Sequence, residues 1–232
     1  MSSTALIVGA GSGISAALAR HLAKDGYRVA LAARNTDKLA SLAKETGAML
    51  LSGDATRIDE VAAVFTELDR AWSRQIDLVV YNASFRVRGP FLELNPMKVA
   101  ETLNVSAYGG FLVAQEALRR MVPQGRGALF FTGASASVKG YAQSAPFAMG
   151  KFALRGLAQS LAREMQPKGI HVAHFVIDGG VRNADKGRTE AAGEADSLLD
   201  PDAIAQTYMA VLKQPRSAWS LEVELRPWVE KF

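Results

Sequence analysis

The sequence predicts an α/β domain built on a doubly wound, parallel sheet of seven strands, and three observations carry that prediction. Short apolar runs alternate with segments of helical periodicity from one end of the chain to the other. The runs are almost continuously apolar, as strands are when helices cover both faces of a sheet. No repeat, low-complexity tract or linker divides the 232 residues, so residues 1–232 read as a single domain with a full core.

The strands are expected at Ala5–Val8, Arg28–Ala32, Ala48–Leu51, Asp77–Tyr81, Ala128–Thr132, His171–Ile177 and Leu221–Leu225. After the first, a glycine-rich turn leads into a helix with Ile14, Leu18 and Leu22 on one face. Val61, Val64, Phe65, Leu68 and Trp72 mark a second helix, and a long one is expected from about Met97 to Met121. Phe147, Lys151, Leu154, Leu157, Leu161 and Met165 recur at helical spacing, so Phe147 and Lys151 share a face. Val181–Leu199 carries glycines and scattered charges and reads as a long loop, either a mobile lid or a solvated connection. Asp200 then caps a helix opening at Pro201. Strands separated by helices require right-handed crossovers and therefore a parallel sheet.

Composition removes several function classes. The chain has no cysteine, which excludes disulfides, thiolate metal sites and cysteine nucleophiles and suits a reducing compartment such as the cytoplasm. Its first residues lack the basic start of a signal peptide, and no apolar stretch approaches a membrane span. The net charge of +4 comes from scattered Lys and Arg, densest at Arg86/Arg88 and Arg119/Arg120. Without a basic stripe interleaved with aromatics, no nucleic-acid partner is expected. His21, His171 and His174 lack metal-ligand spacing, so no metal is expected either.

Three segments carry chemistry. In Gly9-Ala10-Gly11-Ser12-Gly13-Ile14-Ser15 a strand meets a helix through glycines, which lets backbone N–H groups approach a pyrophosphate at the positive helix end. At the end of the second strand, Ala32-Ala33-Arg34-Asn35 offers no carboxylate to a free ribose 2′-hydroxyl. Arg34 can instead pair with a 2′-phosphate, with Ser12 as a neighbour, which favours NADP(H) over NAD(H). In Phe147-Ala148-Met149-Gly150-Lys151 the lysine lies under an aromatic ring that has no proton to donate.

Together these segments resemble the short-chain dehydrogenase/reductases, a family with a Rossmann-type fold, over nearly the whole chain. The glycine loop resembles the family's Thr-Gly-x-x-x-Gly-x-Gly, with Val8 for Thr, Gly9 and Gly13 kept, and Ser15 for the last Gly. Gly53-Asp54-Ala55 resembles its adenine-contacting segment. Tyr81-Asn82-Ala83-Ser84 resembles its Asn-Asn-Ala-Gly. Gly179 and Val181 match its Pro-Gly-x-Val/Ile, with Asp178 for Pro, and Asn183 stands where the family commonly has a pyrophosphate-binding Thr. The resemblance thus implies a cofactor site of Gly9, Gly11, Ser12, Gly13, Ile14, Arg34, Asp54, Ala55, Asn82, Ala83, Lys151, Gly179, Val181 and Asn183.

The catalytic positions depart from the family. Its Tyr-x-x-x-Lys becomes Phe147 with Lys151 kept, and its serine position falls at Ala134, with hydroxyls nearby on Thr132, Ser135 and Ser137. Asn104 is implied to sit at a helix irregularity and hold a proton-relaying water. Tyr141, and less directly Tyr108, are candidate substitute acids. The resemblance implies an NADP(H)-dependent oxidoreductase acting on an unidentified small molecule. It also implies a homodimer or homotetramer, paired through its long helices and a C-terminal edge where Trp219 and Trp228 are expected to be exposed. The alternative is a non-catalytic dinucleotide-binding or redox-sensing protein on the same fold.

Overall fold

The structure is a computed structural model that describes residues 2–230. Strands β1 (Thr4–Val8), β2 (Arg28–Ala33), β3 (Met49–Ser52), β4 (Leu78–Tyr81), β5 (Gly127–Thr132), β6 (Ile170–Ile177) and β7 (Glu222–Leu225) form one sheet in the order β3-β2-β1-β4-β5-β6-β7. Every neighbouring pair is parallel. Because the winding reverses between β1 and β4, the chain leaves their paired carboxyl ends toward opposite faces of the sheet and opens a crevice there.

Helices α1 (Ile14–Lys24), α2 (Ala40–Thr46), α3 (Ile58–Trp72), α4 (Pro96–Leu103), α5 (Gly109–Gln124), α6 (Ala145–Met165) and α7 (Pro201–Leu212) cover both faces. Side chains alternate along a strand, so each strand feeds two cores. Leu6, Val79, Tyr81, Leu129 and Phe131 pack with Phe65 of α3, Leu112 of α5 and Leu154 of α6. Their neighbours Ile7, Leu31, Val80, Phe130 and Phe175 pack with Leu18 of α1, Leu42 of α2 and Tyr208 of α7. This two-sided burial is why the strands read as continuous apolar runs. A further clamp fixes α3 to α5: the buried Arg120 guanidinium donates two bonds of 2.7 Å to the Asp69 carboxylate.

The single helix expected over Met97–Met121 is interrupted. Asn95 caps α4, its Oδ1 accepting the Met97 N–H at 2.9 Å, with Pro96 in the first turn. Between α4 and α5, Asn104–Tyr108 form one π-helical turn. Beneath it lies Tyr81, whose buried hydroxyl donates to the Val105 carbonyl. The approach requires glycine: a Cβ on Gly109 would fall 2.4 Å from the Tyr81 hydroxyl and 2.9 Å from the Ala55 carbonyl oxygen.

Val181–Leu199 is irregular in structure, as expected, but its ends are pinned. Leu199 N–H donates to the Gly180 carbonyl at 2.8 Å and Arg182 N–H to the Leu199 carbonyl at 2.9 Å. Asp200 caps α7, accepting the Asp202 N–H at 3.0 Å. One expectation is corrected. Trp228 is exposed, but Trp219 is not: it stacks on the buried His171 ring at 4.7 Å and donates to the Gln214 carbonyl.

Gly109→Ala should destabilise the fold by about 1–3 kcal/mol in urea unfolding, since the new methyl overlaps a packed tyrosine. Removing that hydroxyl in Gly109→Ala/Tyr81→Phe should recover part of the loss. Simple additivity of the two single effects would contradict the contact.

Candidate functional site

One cleft of about 1110 Å³ lies along the carboxyl ends of the strands and gathers most of the residues singled out in the sequence. Its floor is the crossing of β1 and β4. Gly9 has φ +80°, and a Cβ there would lie 2.3 Å from the Ala83 nitrogen, so only glycine lets the two strand ends meet. The Asn82 amide donates to Ser15 Oγ at 2.7 Å, and that hydroxyl reaches the Gly9 carbonyl at 3.5 Å. Ser15 therefore ties α1 to β1 and to the end of β4.

The first turn of α1 has no side-chain cap and no acidic residue, and Gly11, Ser12 and Gly13 open it towards the cleft. Uncapped N–H groups at a positive helix end suit a phosphate. Asn183 folds over this loop, its amide nitrogen 3.3 Å from Ser12 Oγ. Past the end of β2, Arg34 and Lys38 line the cleft together with Asp54 and Ala55. Asp54 Oδ1 accepts from Thr56 N–H at 2.9 Å and Thr56 Oγ at 2.8 Å. Burial works against its ionisation, but those bonds and the nearby Arg34 and Arg57 hold the carboxyl below the usual carboxylate range.

At the other end α6 delivers Phe147 and Lys151 to the cleft. Lys151 is 2 % exposed, donates to the Thr132 carbonyl at 2.7 Å, and has its pKa pulled down to about 8 by burial. Its ammonium lies 5.8 Å from the Phe147 ring centre. No hydroxyl stands at residues 147 or 134. Ala134 lines the cleft, and its N–H donates to Ser137 Oγ at 3.1 Å, which holds that fully buried serine away from the opening. Thr132 commits its hydroxyl to Tyr208, 2.9 Å away. Ser84, Ser135 and Tyr141 also line the cleft.

Gly179 and Val181 also line the cleft. Asp178 does not: it is buried and turns to Lys139 at 3.5 Å and Arg226 at 3.4 Å. Asn104 and Tyr108 are the two candidates that the fold does not bring to the site. The π turn carries both to the exposed side of the helix, and Val105 is the residue of that turn facing the cleft. A helix irregularity is present at Asn104, as the resemblance implied, and its side chain is exposed and outside the cleft lining.

Sequence reasoning missed several cations. Lys38, Arg86, Arg88, Lys186 and Arg188 join Arg34 and Lys151 in the lining, against Asp54 and Asp185. The Arg86/Arg88 pair was visible as a local density of charge, but only the fold shows that it faces a cavity. The Arg86 guanidinium lies on the Phe147 ring, 5.0 Å from its centre.

The family model for short chain dehydrogenases matches residues 3–190. A crystal structure of a short-chain dehydrogenase from Rhodopseudomonas palustris is 35% identical, covering 97% of this chain and 99% of that one, with a TM-score of 0.83. A metagenomic short-chain oxidoreductase solved in complex with NADP is 25% identical over 98% of both chains, with a TM-score of 0.83. The cyclic-di-GMP-binding biofilm dispersal mediator protein of Escherichia coli K12 is 33% identical over 170 residues, 73% of this chain and 69% of that protein.

The buried lysine has a consequence for stability. Folded Lys151 releases its proton near pH 8, whereas an unfolded lysine does so near 10.5. Between these values the unfolded chain binds the extra proton, so the residue's contribution to stability rises with pH through this window and is flat below it. Urea unfolding of the native chain relative to Lys151→Met should show that rise. A difference independent of pH would contradict the burial of the ammonium.

Proposed function

Since the chain belongs to the short-chain dehydrogenase/reductase family, we propose that it is an NADP(H)-dependent oxidoreductase whose site works without tyrosine and serine hydroxyls at the usual positions. The observation that carries this reading is one continuous cleft with Arg34 and Lys38 at one end and the buried Lys151 at the other. Between them lies the uncapped start of α1, so the donors present fit a dinucleotide with a phosphorylated ribose.

Arg34, Lys38 and Ser12 would hold the 2′-phosphate, Gly11, Gly13 and Ile14 the pyrophosphate, and Asp54 and Ala55 the adenine. Lys151 would hold the nicotinamide ribose and Val181 would orient the carboxamide, next to Gly179 in the lining. A bound NADPH supplies a hydride from its nicotinamide. Phe147 and Ala134 then form an apolar wall beside the reacting carbon, which excludes water but protonates nothing. The proton must come from Tyr141, from water or from the substrate. Imines and activated double bonds make smaller demands on a protein acid than ketones do, which makes them the favoured substrates.

A second reading, a dinucleotide-binding or sensing protein without turnover, draws on the same missing hydroxyls. The relatedness to a protein named for binding cyclic-di-GMP adds to it. NADPH bound without oxidation by ketones, imines or activated alkenes, or tight binding of cyclic-di-GMP itself in calorimetry, would favour this reading over the enzyme.

NADPH should bind roughly tenfold or more tightly than NADH, the worth of one charge-assisted pair at the 2′-phosphate. Calorimetry should find that preference largely lost in Arg34→Ala. Equal affinities in the native chain would overturn the cofactor assignment.

Native reduction of simple ketones should be slow, because general acid catalysis typically contributes on the order of 10²–10⁴-fold. Phe147→Tyr/Ala134→Ser should raise the rate of NADPH oxidation with small ketones. Asp178 does not obstruct it, being turned away from the cleft. High and equal rates in native and double-mutant protein would refute the missing-acid account.

A further inference from the structure

We infer that the substrate of this site carries an oxyanion, a carboxylate or phosphate-type group next to its reacting centre, which Arg86 and Arg88 hold over Phe147. The proposal rests on the dinucleotide reading above and extends it to the substrate.

The dinucleotide's own negative charges are already matched. Arg34 and Lys38 flank the ribose-phosphate end, and the start of α1 faces the pyrophosphate beneath Ser12 and Asn183. Arg188 belongs to that neighbourhood too, since its backbone pairs with Asn183. Arg86 lies elsewhere. It packs on the ring of Phe147, which stands beside Lys151 at the nicotinamide end. Arg88 lines the same wall two residues on.

Among the described residues no carboxylate lies within ion-pair distance of Arg86 or Arg88. A surface arginine needs no such partner, but two that line a cavity together repel each other. Both side chains are exposed at the cleft, yet partial burial and the neighbouring Arg88 still push the Arg86 pKa down, a repulsion that an anion between them would relieve. The guanidinium is a rigid planar fork that matches carboxylate and phosphate oxygens, and it lies over the Phe147 ring. The segment is braced as well, Gly89 N–H donating to the Gln143 carbonyl at 3.1 Å, two residues from Tyr141. Phe147 thus acts as the platform for a cation, where the family's tyrosine would present a hydroxyl. An electron-withdrawing acid group beside a carbonyl or imine also makes that carbon a better hydride acceptor, which lessens the need for a protein acid.

The test uses three probes with the same aryl carbonyl: benzoylformate, benzoylphosphonate and the neutral methyl benzoylformate. NADPH and NADP⁺ binding is measured first by calorimetry in native, Arg86→Gln and Arg88→Gln proteins. Each probe is then titrated into the protein saturated with NADP⁺, or into free protein if NADP⁺ fails to bind. That failure would sink the dinucleotide reading alone. The expected result is that one charged probe binds at least about tenfold more tightly than the neutral ester. Arg86→Gln should cut that preference to within about twofold while NADP⁺ affinity is kept. Whether carboxylate or phosphonate binds better identifies the anion. Equal binding of charged and neutral probes, no binding of any probe, or a preference that survives in both arginine variants would overturn the proposal.

Discussion

A methyl group cannot be placed on residue 9, because the backbone of Ala83 already occupies its space. This contact, where the end of β1 presses on the end of β4, is the constraint on which the rest of the site depends. It brings Asn82 within reach of Ser15, which fixes the angle at which α1 leaves the sheet and aims its uncapped first turn into the crevice. The same crossing sets Tyr81 beneath the π turn, so that Val105 rather than Asn104 borders the cleft. The direction of α1 and the floor of the cleft follow from two paired strand ends that meet at a glycine.

The opposite end of the cleft is organised by a buried charge. Among the described residues Lys151 has no carboxylate partner and relies on the Thr132 carbonyl, which is presented at the end of β5 just before the chain turns to Gly133 and Ala134. Above it stands a phenylalanine that neither neutralises nor uses the ammonium. A tyrosine at this place would gain acidity from the lysine below; a phenylalanine converts the pair into an apolar wall with a cation on each side, Lys151 and Arg86.

Much of this arrangement was legible in the sequence, for a physical reason. Alternation of apolar runs and helical periodicity is local, so all seven strands and the two-faced core could be read within a residue or two at their ends. The glycine loop, Arg34 and the Phe147–Lys151 spacing are likewise local patterns with a direct chemical meaning. What could not be read depends on contacts across long stretches of chain. The break between α4 and α5 is accommodated by Tyr81, a strand residue far away in sequence, and that break alone turns Asn104 and Tyr108 outward. Trp219 looked exposed because its stacking partner His171 lies on another strand. Arg86 and Arg88 looked like scattered surface charge until the fold set both on the cleft and Arg86 against Phe147.

The proposed function requires that one cleft hold NADP(H) from Arg34 to Lys151, with its nicotinamide against a wall in which residues 134 and 147 carry no hydroxyl. A crystal structure with NADP⁺ tests this most directly. The account predicts the 2′-phosphate between Arg34 and Lys38, and the nicotinamide beside Phe147 and Val181. No protein hydroxyl at residues 134 or 147 should stand within hydrogen-bond reach of a substrate oxygen there. A dinucleotide bound in the reverse direction, with its ribose phosphate on Arg86 and Arg88, would contradict the account, as would a cleft that stays empty at saturating NADP⁺.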